Sequence, residues 1–169
     1  MEITIVAVGA VFLIRTFLIQ PFLVSGSSMV PNFSDGDYLL VDQVTYRFRP
    51  PERGEVVVFR SPGDNSIYFI KRIIGLPGEK VAIKNGEIKV FNQSREIDLK
   101  ESYIPSGVST GGNSEWALNS DQYFLLGDNR PSSFDSRSWG PLPAENIIGL
   151  ARLRLWPLPE FKAFAAPQY

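Results

Sequence analysis

The chain has 169 residues, 44% of them hydrophobic, and a formal net charge of −1. That suits one domain with a sizeable core and gives no electrostatic case for nucleic-acid binding. It contains no cysteine and no histidine, which excludes disulfides, thiolate nucleophiles, cysteine-ligated metal sites and Ser-His-Asp triads.

Residues 3–14, ITIVAVGAVFLI, carry no charge; Arg15 interrupts, and FLIQPFLV continues to Val24. A helix over 3–14 alone reaches only about 18 Å, short of the roughly 30 Å hydrocarbon core. The reading adopted is a membrane anchor over 1–24, its start open to truncation, with Arg15 snorkelling and Pro21 ending the helix. A cleaved secretory signal and a buried helix are the alternatives, and the signal lacks a basic flank. Next comes VSGSSMVPNF (24–33), with three serines in five residues. Such serines are commonly turn or cap residues.

From there the pattern changes to short β-like runs between turns: YLLV (38–41), VVVF (56–59), IYFIKRIIG (67–75), KVAI (80–83), EIKVF after the hairpin signal NG (85–86), QYFLL (122–126) and IIGLARLRLW (147–156). They predict a mainly β fold, an antiparallel Greek-key or barrel-like domain over 25–169 preceded by the apolar helix. The polar, glycine-containing stretch at about 84–118 reads as an excursion from the core.

A serine hydroxyl is a weak nucleophile until a neighbour takes its proton. Without histidine, the acceptor is Lys, Asp or Glu. Lysine qualifies only when neutral, and burial among apolar groups lowers its pKa. Lys80, Lys84, Lys89 and Lys100 sit in polar hairpin-like segments and Lys162 in the tail; Lys71 alone lies in a strongly apolar run, YFIKRIIG. Strand alternation puts Phe69, Lys71 and Ile73 on one face and Ile70, Arg72 and Ile74 on the other. Arg72 cannot serve as a base. The bland alternative is an edge-strand lysine that guards against aggregation. GDNRPSSFDSR (127–137) packs two Asp, two Arg, one Asn and three Ser directly after an apolar strand. It suits a loop fixed by carboxylate–arginine contacts, or equally a solvated turn.

Together, SGSSMVP, RGEVVVF, FIKRIIGLPGEKV and GDNRPSSFDSRSWGPLP resemble, in order, the motifs of the bacterial type I signal peptidase family, membrane-bound serine endopeptidases with a Ser/Lys dyad. The similarity runs from about Arg15 to Trp156. It implies Ser28, the serine before methionine, as nucleophile and Lys71 as general base. Ser133 would hydrogen-bond and orient the lysine amine. The Ser28 backbone N–H would donate to the oxyanion, with Gly26 standing where some members carry a further hydroxyl donor. Asp128, Asp135, Arg72 and Arg137 would support the base loop. Val24, Met29, Phe33 and Ile70 would line one shallow pocket, and Phe22 and Val58 another, for substrates cut after small residues in an A-x-A-like pattern. The polar 84–118 stretch would be the family's variable insertion. Asn32 departs from a common threonine, and the anchor is brief and lacks a basic flank.

The resemblance implies no cofactor and no metal. It implies secretory preproteins and membrane lipid as partners, and a single-pass location at the cell membrane with an extracytoplasmic catalytic domain. A self-cleaving LexA-like or UmuD-like Ser/Lys peptidase, which also pairs a Ser-Met motif with a GD turn, is the rival of similar fold. A catalytically silent tethered binding module is the rival from another class, and it would be expected to lose Ser28 or Lys71.

Overall fold

The computed structural model describes residues 19–93, 95–97, 99 and 101–167. The apolar runs separated by turns become strands. They are β1 (Ile19–Leu23), β2 (Tyr38–Asp42), β3 (Val56–Ser61), β4 (Asp64–Gly75), β5 (Glu79–Lys84), β6 (Glu87–Asn92), β7 (Arg95–Ile97), β8 (Ser114–Ala117), β9 (Gln122–Leu126), β10 (Leu142–Pro143), β11 (Ile147–Trp156) and β12 (Lys162–Ala163). Among the described residues one short α-helix, α1 (Ser136–Trp139), precedes β10.

The strands form two antiparallel sheets. The larger runs β1-β2-β11-β3-β4-β9-β10, with β12 on β11, and the smaller runs β7-β6-β5-β8. The late strand β11 thus inserts between β2 and β3, which a simple meander would leave adjacent. The fold is mainly β and antiparallel, as expected, and the ladder of the larger sheet is an open path from β1 to β10. Asn85 and Gly86 both have positive φ, 54° and 86°, as a two-residue hairpin turn of the right twist requires.

Two expectations need correction. Residues 84–118 are not only an excursion: they supply β6, β7 and β8. Val81, Ile83 and Val90 of the smaller sheet share one buried cluster with Ile74, Phe124 and Leu126 of the larger. Alternation hid this, because strands with one wet face carry many polar residues. The anchor expected over 1–24 lies mostly outside the described residues, but its last part does not continue a helix. Ile19–Leu23 pairs with β2, Pro21 opposite Leu40. Proline is tolerated there because β1 ends the ladder and needs no donor on its open side. Among the described residues no helix is long and apolar enough to cross a membrane.

Close approach fixes Gly149 in β11. A Cβ there would stand 2.5 Å from the Asp42 carbonyl oxygen and 2.9 Å from Val41 Cγ1. Gly149→Ala is therefore expected to cost about 1–3 kcal/mol as an overpacking change. Urea unfolding followed by tryptophan fluorescence would read it as a lowered midpoint; an unchanged midpoint contradicts this packing.

Candidate active site

β4 is the element that carries the buried lysine. Val57 pairs with Lys71 and Val56 with Arg72 on one side, and Arg72 pairs with Leu126 on the other. The two faces diverge as alternation predicts: Phe69 and Ile73 join the cluster of Val57, Phe59 and Leu125, while Ile70 packs with Val24, Phe33 and Val56. Lys71 is 3% exposed, and its amine lies 5.5 Å from the Phe69 ring centroid. Burial lowers its pKa from 10.5 to about 8, against the opposing pull of the Asp135 and Asp128 charges. It is a strand lysine among apolar side chains, not an edge guard.

The serine turn reaches this amine from β1. Val24 N–H donates to the Asp37 carbonyl and Gly36 N–H to the Val24 carbonyl, closing residues 24–37 into a loop. Met29 and Phe33 anchor that loop in the core at 1% and 0% exposure. Their turn is tied by Asn32 N–H and Phe33 N–H, both donating to the Met29 carbonyl at 3.0 Å. Half-buried Ser28 is left with its Oγ 2.7 Å from Lys71 Nζ, which also donates to the Ile70 carbonyl at 2.9 Å.

The 127–139 segment clamps both partners. Arg72 grips Asp128 with two parallel contacts, Nε at 2.8 Å and Nη2 at 2.7 Å. Arg137 grips Asp135 in the same forked way, each contact 2.8 Å. Such pairs fix direction as well as charge. Asp135 also accepts from Gly127 N–H and caps α1 through Arg137 N–H. Asn129 holds the serine turn by two bonds of 3.0 Å, its backbone N–H to the Ser28 carbonyl and its side chain to the Ser27 carbonyl.

The structure thus brings together Ser28, Lys71, Arg72, Asp128, Asp135 and Arg137. Ser133 differs from expectation. Its Oγ is buried with no hydrogen-bond partner, packed beside Gly127, so the expected bond to the lysine amine is absent. Beside the Ser–Lys contact lies one cleft of ≈ 110 Å³ lined by Phe22, Val24, Val58 and Ile70, residues expected to divide between two pockets, and also by Leu23, Leu39, Tyr68 and Phe69. Met29 and Phe33 do not line it; they are core residues that hold the turn from behind.

The sequence assigned no role to Asn129 or Arg130, and noted Asn32 only as a departure from a common threonine. Arg130 is 2% exposed and bonds Glu101, Thr110 and the Gly127 carbonyl. The Asn32 amide bridges Asp128 (2.9 Å) and the Tyr103 carbonyl (2.8 Å). A signal existed for Arg130 in the density of GDNR, but its acceptors Glu101 and Thr110 lie in the smaller sheet's connections, which no local pattern reveals.

The family model described as signal peptidase, peptidase S26, matches residues 1–156. The chain belongs to this signal peptidase family. It is 39% identical to signal peptidase I of Leptolyngbya laminosa, over 86% of this chain and 72% of that one. It is 40% identical to probable signal peptidase I-2 of Synechocystis, over 92% and 69%. Signal peptidase I U of Bacillus subtilis is 34% identical over 95% of this chain and 88% of its own. The protein is accordingly a peptidase, with a mainly β fold.

Gly127 carries a sharp prediction for a member of this family. A Cβ there would stand 2.4 Å from the Ser28 carbonyl oxygen and 2.2 Å from Ser133 Oγ. Gly127→Ala must push the serine turn or Ser133 aside, and where that turn holds the nucleophile, as proposed below, a shift of about 1 Å costs on the order of 10²-fold. Steady-state kinetics on a signal-peptide substrate should show kcat reduced by about that factor; wild-type kcat would contradict the close approach.

Proposed function

We propose that the protein removes signal peptides from secretory precursors with a Ser28–Lys71 dyad. The observation that carries the reading is the 2.7 Å contact between Lys71 Nζ and Ser28 Oγ, joined to an amine pKa of about 8. At neutral pH about a tenth of such amines are free to accept a proton, against fewer than one in a thousand for an ordinary lysine. Membership of the signal peptidase family supplies the substrate class.

In this mechanism Ser28 Oγ attacks the scissile carbonyl and gives its proton to neutral Lys71. The Ser28 backbone N–H donates to the oxyanion. Gly26 offers no hydroxyl, so the hole depends on backbone. Collapse expels the new amino terminus, which takes the proton back from the Lys71 ammonium. Water, deprotonated by Lys71, then hydrolyses the acyl-serine. Asp128 and Asp135, each held by an arginine fork, support the base without carrying protons.

The ≈ 110 Å³ apolar cleft suits small side chains, as an A-x-A-like preference requires. β9 pairs with β4 only from Arg72 onward, which leaves backbone beside Phe69 and Ile70 for an extended substrate to pair with.

Ser28→Ala and Lys71→Ala should each lower preprotein cleavage by several orders of magnitude, with the double variant scarcely worse, as for residues acting as a unit. Product mass spectrometry locates the cut. Full activity of Lys71→Ala sinks the dyad; cleavage of the chain alone, with no added preprotein processed, favours the self-cleaving rival. The same assay fixes the pH dependence. The amine acts only after losing its proton, so kcat/KM should rise through pH 8 and flatten above it. A profile flat from pH 5 to 10 leaves no titrating base.

A membrane position for the cleft has its own support. Leu23, Tyr38 and Trp156 face one another across three neighbouring strands. They are exposed at 63%, 44% and 57%, and Leu158 and Phe161 follow at 66% and 59%. An apolar row of this kind, at the end of β1 that leads into the serine turn, suits a bilayer interface. We expect the full chain to sediment with membranes and resist alkaline carbonate, and its Ser28 domain to be digested by protease added outside spheroplasts. Release by carbonate, or protection until lysis, removes this topology.

A further inference from the structure

The family match ends at residue 156, yet the chain beyond it returns to the serine turn. After Trp156 it passes a 3-10 turn at Leu158–Glu160 and then pairs back on β11 as β12, Leu153 opposite Ala163 and Arg154 opposite Lys162. Phe164 N–H donates to the Arg152 carbonyl at 2.8 Å. Its ring lies 4.4 Å from the ring of Phe33, centroid to centroid. Phe33 is the fully buried side chain of the turn that begins at Met29, the residue after Ser28.

Arg154 forms the second link. It is 6% exposed, with its guanidinium 5.6 Å from the Phe164 centroid and 5.9 Å from that of Phe33. One end of the guanidinium contacts Glu160 at 2.5 Å. The other donates to the Asn32 carbonyl and ion-pairs with buried Asp37 at 3.0 Å. Asp37 in turn accepts from Ser34 N–H at 2.8 Å. The peptide groups on both sides of Phe33 are therefore held from the tail side.

We infer that residues 158–164 act as a strap that, with Arg154 of β11 beneath it, positions the nucleophile turn; Phe164 and Arg154 are the positioning residues. This rests on the reading of Ser28 as nucleophile. Phe164 covers Phe33 and Arg154 and keeps water from the Arg154–Asp37 pair. Ion pairs weaken on hydration, and an unsealed Phe33 loses the contact that fixes the turn. No residue of the strap is among those that line the cleft beside Lys71. Its loss should therefore change how often Ser28 points at the carbonyl, while substrate binding and the pKa of the base stay as they are.

The test uses the full chain with Phe164→Ala and Phe164→Tyr, and Ser28→Ala as the control. Phe164→Ala should lower kcat about 10-fold, a fraction of what misplacing a reacting group can cost. KM should stay within about twofold and the acidic limb of the pH profile should not move, since no substrate or base contact changes. Phe164→Tyr should restore kcat, since its ring keeps the contact. Amide hydrogen exchange should quicken in residues 29–36 and stay unchanged in β5 and β6. Unchanged kcat and exchange in Phe164→Ala overturn the strap. So does a loss of kcat accompanied by faster exchange throughout, which marks general loosening. Activity in Ser28→Ala overturns the nucleophile reading instead, and the exchange data then decide the strap on their own.

Discussion

The site depends on one constraint: an amine that evolution has left in an apolar strand must lie within reach of a hydroxyl and away from water. Lys71 meets it because β4 sits between β3 and β9 and because Phe69 and Ile73 share its face. Burial disfavours the ammonium and lowers the pKa to about 8. A solvated lysine in the same chain could make the same contact with a serine and still be a cation near pH 7. The chemistry proposed for Ser28 follows from where the strand is, more than from what the lysine touches.

The surrounding ion pairs answer a difficulty that this burial creates. Asp128 and Asp135 are almost fully buried near the amine, and each negative charge favours its protonated form. Arg72 and Arg137 hold the two carboxylates in forked contacts and offset their charge. The same arrangement gives the 127–139 segment its rigidity, and Asn129 passes that rigidity to the Ser27 and Ser28 carbonyls. Buried pairs of this kind are weak evidence for net stability; here they orient groups. From the opposite side Met29, Phe33 and Arg154 hold the turn, so the serine is fixed between a polar clamp and an apolar plug.

The strands were legible because a run such as YLLV or QYFLL between turn residues has few other ways to bury itself. Lys71 was legible for the same reason: five of the six lysines sit in polar or terminal contexts. The choice of Ser28 over Ser25 and Ser27 came from the motif resemblance. Three readings failed where tertiary contacts outvote local pattern. Pro21 suggests a helix stop, but an edge strand accepts it equally well. Met29 and Phe33 look like pocket residues by position, and only the packing of Ala151 and Leu39 behind them marks them as core. The polar run at 84–118 looked peripheral because each of its strands contributes only one apolar face.

By itself, the sequence determined the mainly β character, the lysine with the best reason to be neutral, and, through four ordered motifs, the family. The first two are properties of local composition and periodicity, which act within a few residues; the family rests on the resemblance of the motifs. Tertiary structure alone decided the order of strands, with β11 between β2 and β3, and so the meeting of Ser28 with a lysine 43 positions away. It also decided which side chains face the cleft and which lock the turn. Those outcomes depend on contacts between distant segments whose burial is won jointly, and no window along the chain contains both partners.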